Sequence, residues 1–338
     1  MSLPARVWVA GLVLLFGGAA PTQPGYHLFR RVPLKGAVRW DYLTLDPARR
    51  RLFIAHDSEV TVVDADWLTV TGRIPGTQGV HGVALAPDLG RGYASDGRDS
   101  TVTIFDLASL RVVGRIGVTG RQPDAIAYDS VSRRVFTFNG GSGNATAIDA
   151  ERGAVAGTLP LGGRPEFAVA DGRGRMFVNL EDRDSLLSFE TRTLKPVARW
   201  PLAPCAAPSA LAMDRDRRLL FVGCRNRLLA VVDADHGAVL GTLPIGAGVD
   251  AVVFDPTTRE VLSANGEGTL TVGAPDAAGR YQVEATVPTA PGARTLAFDP
   301  ETRRIFLVTA DFAPPPAGGP QARPQAIPGT FALLVYAP

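Results

Sequence analysis

The chain of 338 residues is almost without lysine: of its 35 basic residues only Lys35 and Lys195 are not arginine. The arginines are scattered through the turns in runs of no more than three, the formal net charge is +2, and no longer basic run or aromatic-interleaved basic stripe occurs. That pattern reads as a solvated surface and gives no support to a nucleic-acid groove. Cysteine is as scarce, with only Cys205 and Cys224. No C-x-x-C pair is present for zinc or redox work, and no C-x-x-C-H, so no covalently attached c-type haem is encoded and no haem is expected. There is no G-x-S-x-G elbow and no H-E-x-x-H. "NGGSGN" at Asn139–Asn144 lacks the lysine and the following helix of a phosphate loop and reads as a turn. Histidine is limited to four positions, of which His27 sits in a strand pattern and His236 in the turn "DADHG". Beyond the first 20 residues no apolar run is long enough to cross a bilayer.

Those first residues, "MSLPARVWVAGLVLLFGGAA", carry one cation, Arg6, an apolar run from Val7 to Phe16, and then small residues. This is the pattern of a secretory signal peptide cleaved after Ala20, with an uncleaved anchor as the alternative. A periplasmic or secreted protein is therefore expected, with residues 21–338 as one mature domain. In an exported chain the two cysteines are expected to pair, the alternative being two free thiols. The short loop they would close makes the bridge worth about 3 kcal/mol.

What the sequence has in abundance is repetition. "LDPARRR" contains a turn acid, Asp46, whose equivalents are Ala86, Asp129, Asp171, Asp214, Asp255 and Asp299. The steps between them are 40, 43, 42, 43, 41 and 44 residues. Around each anchor come four short apolar runs with period-2 patterning, separated by Gly, Pro and Asp. No stretch sustains a helical period. A period of 40–45 with four strands per unit is the mark of a β-propeller blade. The seventh unit lacks a fourth strand, and a spare strand, "HLFRRVP", precedes the first. The expected fold is all-β: a seven-bladed propeller closed by pairing its N-terminal strand with its last blade, which removes an exposed edge.

The units "DPARRRLFIA…VTVVDADWLTVTGRIPG" and "DRDRRLLFVGC…LAVVDADHGAVLGTLPIG" resemble the YVTN-type repeats of the YncE-like β-propeller family, across residues 27–338. The resemblance implies an exported bacterial seven-bladed propeller. One class of similar proteins binds DNA. The family supplies no defining catalytic motif, so no residue role is carried over. The G-H…W-D signature of WD40 blades is absent, and Trp40-Asp41 stands at the start of a first strand instead.

A repeat allows equivalent positions to be compared. Five residues before each anchor stand Asp41, His81, Asp124, Glu166, Ser209, Asp250 and Arg294. Here one blade hands over to the innermost strand of the next, so these residues are expected around one mouth of the central channel. The ends of the second strands, His56, Asp96, Asn139, Arg225 after Cys224, and Asn265, are expected on the same face. The Pro-rich stretch from Pro314 to Pro328 joins two strands of the last blade and would emerge there too.

Three readings of this polar ring compete: a solvated rim, a binding site, and a metal-assisted enzyme. In the third, His81, Asp124 and Glu166, from consecutive blades, would ligate a divalent ion. The sequence favours a monomeric, non-catalytic propeller that binds a small molecule, metal ion or periplasmic protein at this mouth. The alternative is a metal-dependent hydrolase of the lactonase kind, or a lyase, using the same carboxylate and His ring.

Overall fold

A computed structural model describes residues 25–314 and 325–338. The expected signal peptide and most of the Pro-rich stretch lie outside the described residues. Within them the chain forms seven four-stranded antiparallel sheets and no α-helix. The sheets form a seven-bladed β-propeller. The innermost strands are Leu43–Asp46, Val80–Ala86, Pro123–Asp129, Pro165–Ala170, Pro208–Asp214, Val249–Phe254 and Leu296–Asp299. Each blade then runs outward in chain order. In the seventh blade the outermost strand is His27–Pro33, which pairs antiparallel with Ala332–Ala337, from His27 opposite Ala337 to Pro33 opposite Ala332.

The strand patterns follow from position in the blade. The second and third strands are covered on both faces by neighbouring blades, so they read as continuous apolar runs. Leu52, Phe53, Ile54 and Ala55 are all fully buried. The outermost strands are solvated and keep one inward residue near their end, such as Ile74, Ile116, Leu159 or Leu243. Asp at the anchor closes the first turn by accepting backbone N–H bonds two to four residues on. Asp46 accepts from Arg49, Asp171 from Arg173 and Arg175, Asp214 from Asp216 and Arg217, and Asp299 from Glu301. The second blade, with Ala86 at the anchor, uses a short 3₁₀ turn, Pro87–Leu89, ended by Gly90 in the left-handed conformation.

The preference for arginine has a structural use. Arg51, Arg91, Arg134 and Arg304 each open a second strand. Each donates to a carbonyl at the end of the next blade's third strand: Leu107, Ala150, Thr191 and Ala65 respectively, at 2.7, 3.0, 2.9 and 3.3 Å. The last of these ties the seventh blade to the first. Arg50 adds an ion pair across the same junction, 2.6 Å from Asp299. A long planar donor fork suits such reach better than a lysine point charge.

Cys205, in the connection between the fourth and fifth blades, is bonded to Cys224 at the end of the fifth blade's second strand, with Cα atoms 5.5 Å apart. The bridge spans 19 residues. Replacing both cysteines by serine is expected to leave the propeller folded but less stable by about 3 kcal/mol. Urea denaturation of the double variant against the oxidised wild type measures this. An unchanged midpoint would show that the bridge carries no stability.

Candidate functional site

Of the seven handover residues, six carry ionisable groups and form three clusters at one mouth of the channel. In the first, the His81 Nδ1–H donates to Asp41 Oδ2 at 2.6 Å, and Asp124 Oδ1 stands 3.5 Å from the same nitrogen. In the second, Arg294 Nε donates to Asp250 Oδ2 at 2.6 Å. In the third, Arg225 reaches Glu166 Oε1 at 3.3 Å and Glu181 Oε1 at 2.6 Å. Glu166 Oε2 is buried without a hydrogen-bond partner, its nearest cation being Arg164 at 3.7 Å.

The geometry departs from the sequence expectation in three ways. Ser209, the seventh handover residue, is fully buried and donates to the Val249 carbonyl at 2.8 Å, so it ties the fifth blade to the sixth and does not face the mouth. The second-strand ends also do other work. His56 is buried between the Ala37 carbonyl and the Thr61 hydroxyl and stacks on Phe331. Asp96 accepts from Thr101 and Thr103, Asn139 is bonded to Asn144 and Thr146, and Asn265 to Thr269 and Thr271. All four are buried and lock the second strand of a blade to the third. A polar strand end looks like a rim in sequence, but here the segment leading into the blade packs over it: Gly36 and Ala37 over His56, Gly120 over Asn139 and Gly246 over Asn265. Of that set Arg225 alone joins the handover residues. Third, among the described residues the three groups whose ligand atoms fall within 4.8 Å of one another are Asp41, His81 and Asp124. Asp41 takes the place expected for Glu166, which its arginines hold aside.

Crowding in a low-dielectric mouth sets the electrostatics. Burial opposes a charge on His81, but the hydrogen bond to Asp41 and the fields of Asp124 and Asp41 outweigh it and raise its pKa to about 9. Its imidazolium therefore balances part of the carboxylate charge. Burial pushes Asp124 and Asp250 well above the usual carboxylate range, against the opposing fields of His81 and Arg294. Glu166 is pushed up to about 8 by burial, then by Asp124, Glu181 and Asp250.

Beside His81 and Asp124 lies a cavity of about 370 Å³, walled on its other sides by Arg39, Arg98 and Arg164. Gly97 makes room for the imidazole: a Cβ there would come within 2.6 Å of the His81 ring. The described ends of the Pro-rich stretch sit at the same mouth, where Phe312 pairs with Ala326 and lies 6.3 Å from the Trp40 ring.

One feature escaped the sequence comparison. In the slot directly after the handover residue stand Tyr42, Gly82, Ala125, Phe167, Ala210, Ala251 and Thr295. Five are small and two are aromatic. Tyr42 from the first blade meets Phe167 from the fourth edge-to-face, with ring centroids 5.0 Å apart. The pair closes the channel beneath the ionisable groups. Comparing that slot as well would have revealed the outliers.

No protein-family model matches the chain. It is 28% identical over 198 residues to dihydro-heme d1 dehydrogenase of Pseudomonas aeruginosa, which covers 56% of the chain and 40% of that relative. The chain thus spans about two fifths of that protein's length over the matched part. Among solved structures it is similar to a chain of the mitotic checkpoint complex (TM-score 0.76, 15% identity, 99% of both chains). It is also similar to one of Kuenenia stuttgartiensis hydrazine synthase (TM-score 0.70, 16% identity, 82% of this chain and 94% of that one). At these identities the structural likenesses show the fold.

The raised Glu166 has a consequence for stability. Its folded-state pKa lies near 8 against an ordinary 4.5, so the folded protein holds the proton more tightly than the unfolded chain. Stability contributed by this group therefore falls as pH rises from about 4.5 and is fully lost above about 8. Glu166→Gln is expected to be more stable than wild type at pH 9 by about 1–3 kcal/mol, and equal to it near pH 4. Urea titrations at the two pH values measure the difference. A variant less stable at pH 9 would overturn the assignment.

Proposed function

We propose that this chain is an exported propeller of the YVTN type that binds a small anionic ligand at the channel mouth through a divalent cation. The observation that carries the reading is the convergence of Asp41, His81 and Asp124 on one point, at the edge of a cavity walled by Arg39, Arg98 and Arg164. Two carboxylates and an imidazole are a mixed O/N donor set suited to a divalent transition ion. The arginines offer forked donors for carboxylate or phosphate groups of a bound molecule. The Cys205–Cys224 bridge supports export, and no helix of the described residues is long and apolar enough to cross a membrane.

The relative's named substrate, dihydro-heme d1, is not carried over to this chain. An iron on His81 Nδ1 would place the flat macrocycle where Asp41 and Asp124 stand, 2.6 and 3.5 Å from that nitrogen. The other ring nitrogen lies against Gly97. These residues suit a bare ion and do not suit a haem.

A second reading, a metal-dependent hydrolase of the lactonase kind or a lyase, is favoured by one observation. Glu166, protonated up to about pH 8, keeps Oε2 unpartnered at the same mouth, where it could act as a general acid. Hydrolysis of simple lactones by metal-loaded wild type, lost in Glu166→Gln with metal still bound, would favour that reading over plain binding.

The test of the first is calorimetry with Mn²⁺, Zn²⁺ and Ca²⁺ separately. One saturable site is expected for at least one ion, weakened more than tenfold in Asp124→Asn and in His81→Ala. Because the His81 proton must leave, binding at pH 7 should release about one proton. Buffers of different ionisation enthalpy reveal it, and affinity should rise with pH up to about 9. No saturable binding of any of the three ions would sink the reading.

A further inference from the structure

Below Tyr42 and Phe167 the channel continues as a second compartment of about 370 Å³. Among the described residues no charged side chain lines it, and the polar side chains there are the hydroxyls of Tyr42 and Thr44. The Thr44 hydroxyl is already committed to the Val83 carbonyl at 2.8 Å. The walls are Leu45, Ile126, Val169, Met213, Val253 and Phe298, each only partly buried, so their apolar surface faces open space. Leu45, Met213 and Phe298 directly precede turn aspartates, which places the opening on the face opposite the ionisable mouth. The Tyr42–Phe167 pair forms the closed end.

We propose that this lumen is a binding site for an uncharged, ring-bearing apolar molecule of about two to three rings. The argument is one of exclusion and size. An ion entering the lumen would meet no opposite charge. A sugar or peptide would find one free side-chain hydroxyl at most. The other polar groups are backbone atoms on the unpaired inner edges of the innermost strands, and the side-chain walls between them are apolar. A cavity of about 150 Å³ lined by Leu, Ile and Phe stays dry and accepts benzene. This lumen is more than twice that volume and ends on two aromatic rings that can pack edge-to-face on a guest. It stands on different side chains from the cation cluster and does not depend on the reading of the mouth.

The probe is N-phenyl-1-naphthylamine, uncharged at neutral pH and brighter in apolar surroundings. Wild type is expected to give saturable one-to-one enhancement. Val253→Phe and Val169→Phe, which fill the lumen from the sixth and fourth blades, are expected to weaken it at least tenfold. Trp67→Ser, on the outer surface, is expected to leave it unchanged. Thermal melts show which variants keep the fold. Xenon pressurised into wild-type crystals, which needs no variant, is expected beneath Phe167. A non-saturable probe signal, equal affinity in a folded lumen-filling variant, or xenon absent from the lumen would each overturn the proposal.

Discussion

A four-stranded sheet has two faces to cover and two edges to protect, and every feature of this molecule depends on the ring being closed. The second and third strands of each blade are apolar on both sides, so none can be stable without a neighbour. Closure is made where the seventh blade meets the first. There His27–Pro33 completes the last sheet, Arg50 pairs with Asp299, Arg304 reaches the Ala65 carbonyl, and the Thr295 hydroxyl donates to the Asp41 carbonyl at 2.9 Å. Similar bonds run between other blades close under the mouth: Ser95 to the Asp124 carbonyl, Asn179 to that of Ala210, Ser209 to that of Val249. Two of these, from Thr295 and Ser95, grip the backbone of Asp41 and Asp124 themselves. The scaffold bonds that hold blades together therefore also aim the two carboxylates that flank His81.

That aim brings like charges together at a cost. Asp41, Asp124 and Asp250 are offset by the His81 imidazolium and by Arg294, while Glu166 avoids a charge by holding its proton up to about pH 8. Compensation is uneven: Asp250 has its arginine at 2.6 Å, while Glu166 keeps one bare oxygen. The proposed divalent ion among Asp41, His81 and Asp124 would be an alternative to a proton on His81 as the answer to one electrostatic problem. A site that folding alone would smooth away is a natural candidate for function.

The architecture was legible in the letters because it is periodic and local. Turn aspartates, strand alternation and the missing fourth strand each leave a mark within a few residues, and the paired cysteines needed only the export context. What was illegible acts between blades. Arg51, Arg91, Arg134 and Arg304 occupy one register and one role, yet their acceptors lie on the next blade, mostly some 57 residues ahead. His56, Asn139 and Asn265 look like a rim until the connections between blades are in place to cover them. Asp41–His81–Asp124 and His81–Asp124–Glu166 are both triples from consecutive blades. Only distances separate them, because both contain His81 and two acids.

The aromatic pair explains why the two halves of the channel can differ so sharply. Five small residues in the slot after the handover leave a gap across the ring, and Tyr42 and Phe167 span it from blades one and four. Above them the channel holds ionisable groups and below them almost none. The same pair denies the carboxylates water from beneath. Burial is the largest influence raising Asp124, Glu166 and Asp250, and part of that burial is aromatic carbon directly under them. Tyr42 shows the effect from the other side: burial, and then the fields of Asp250, Asp124, Asp41 and Glu166, hold its phenol neutral well above its ordinary range. The carboxylates of the mouth are thus raised in part because the wall beneath them is made of two rings instead of polar side chains.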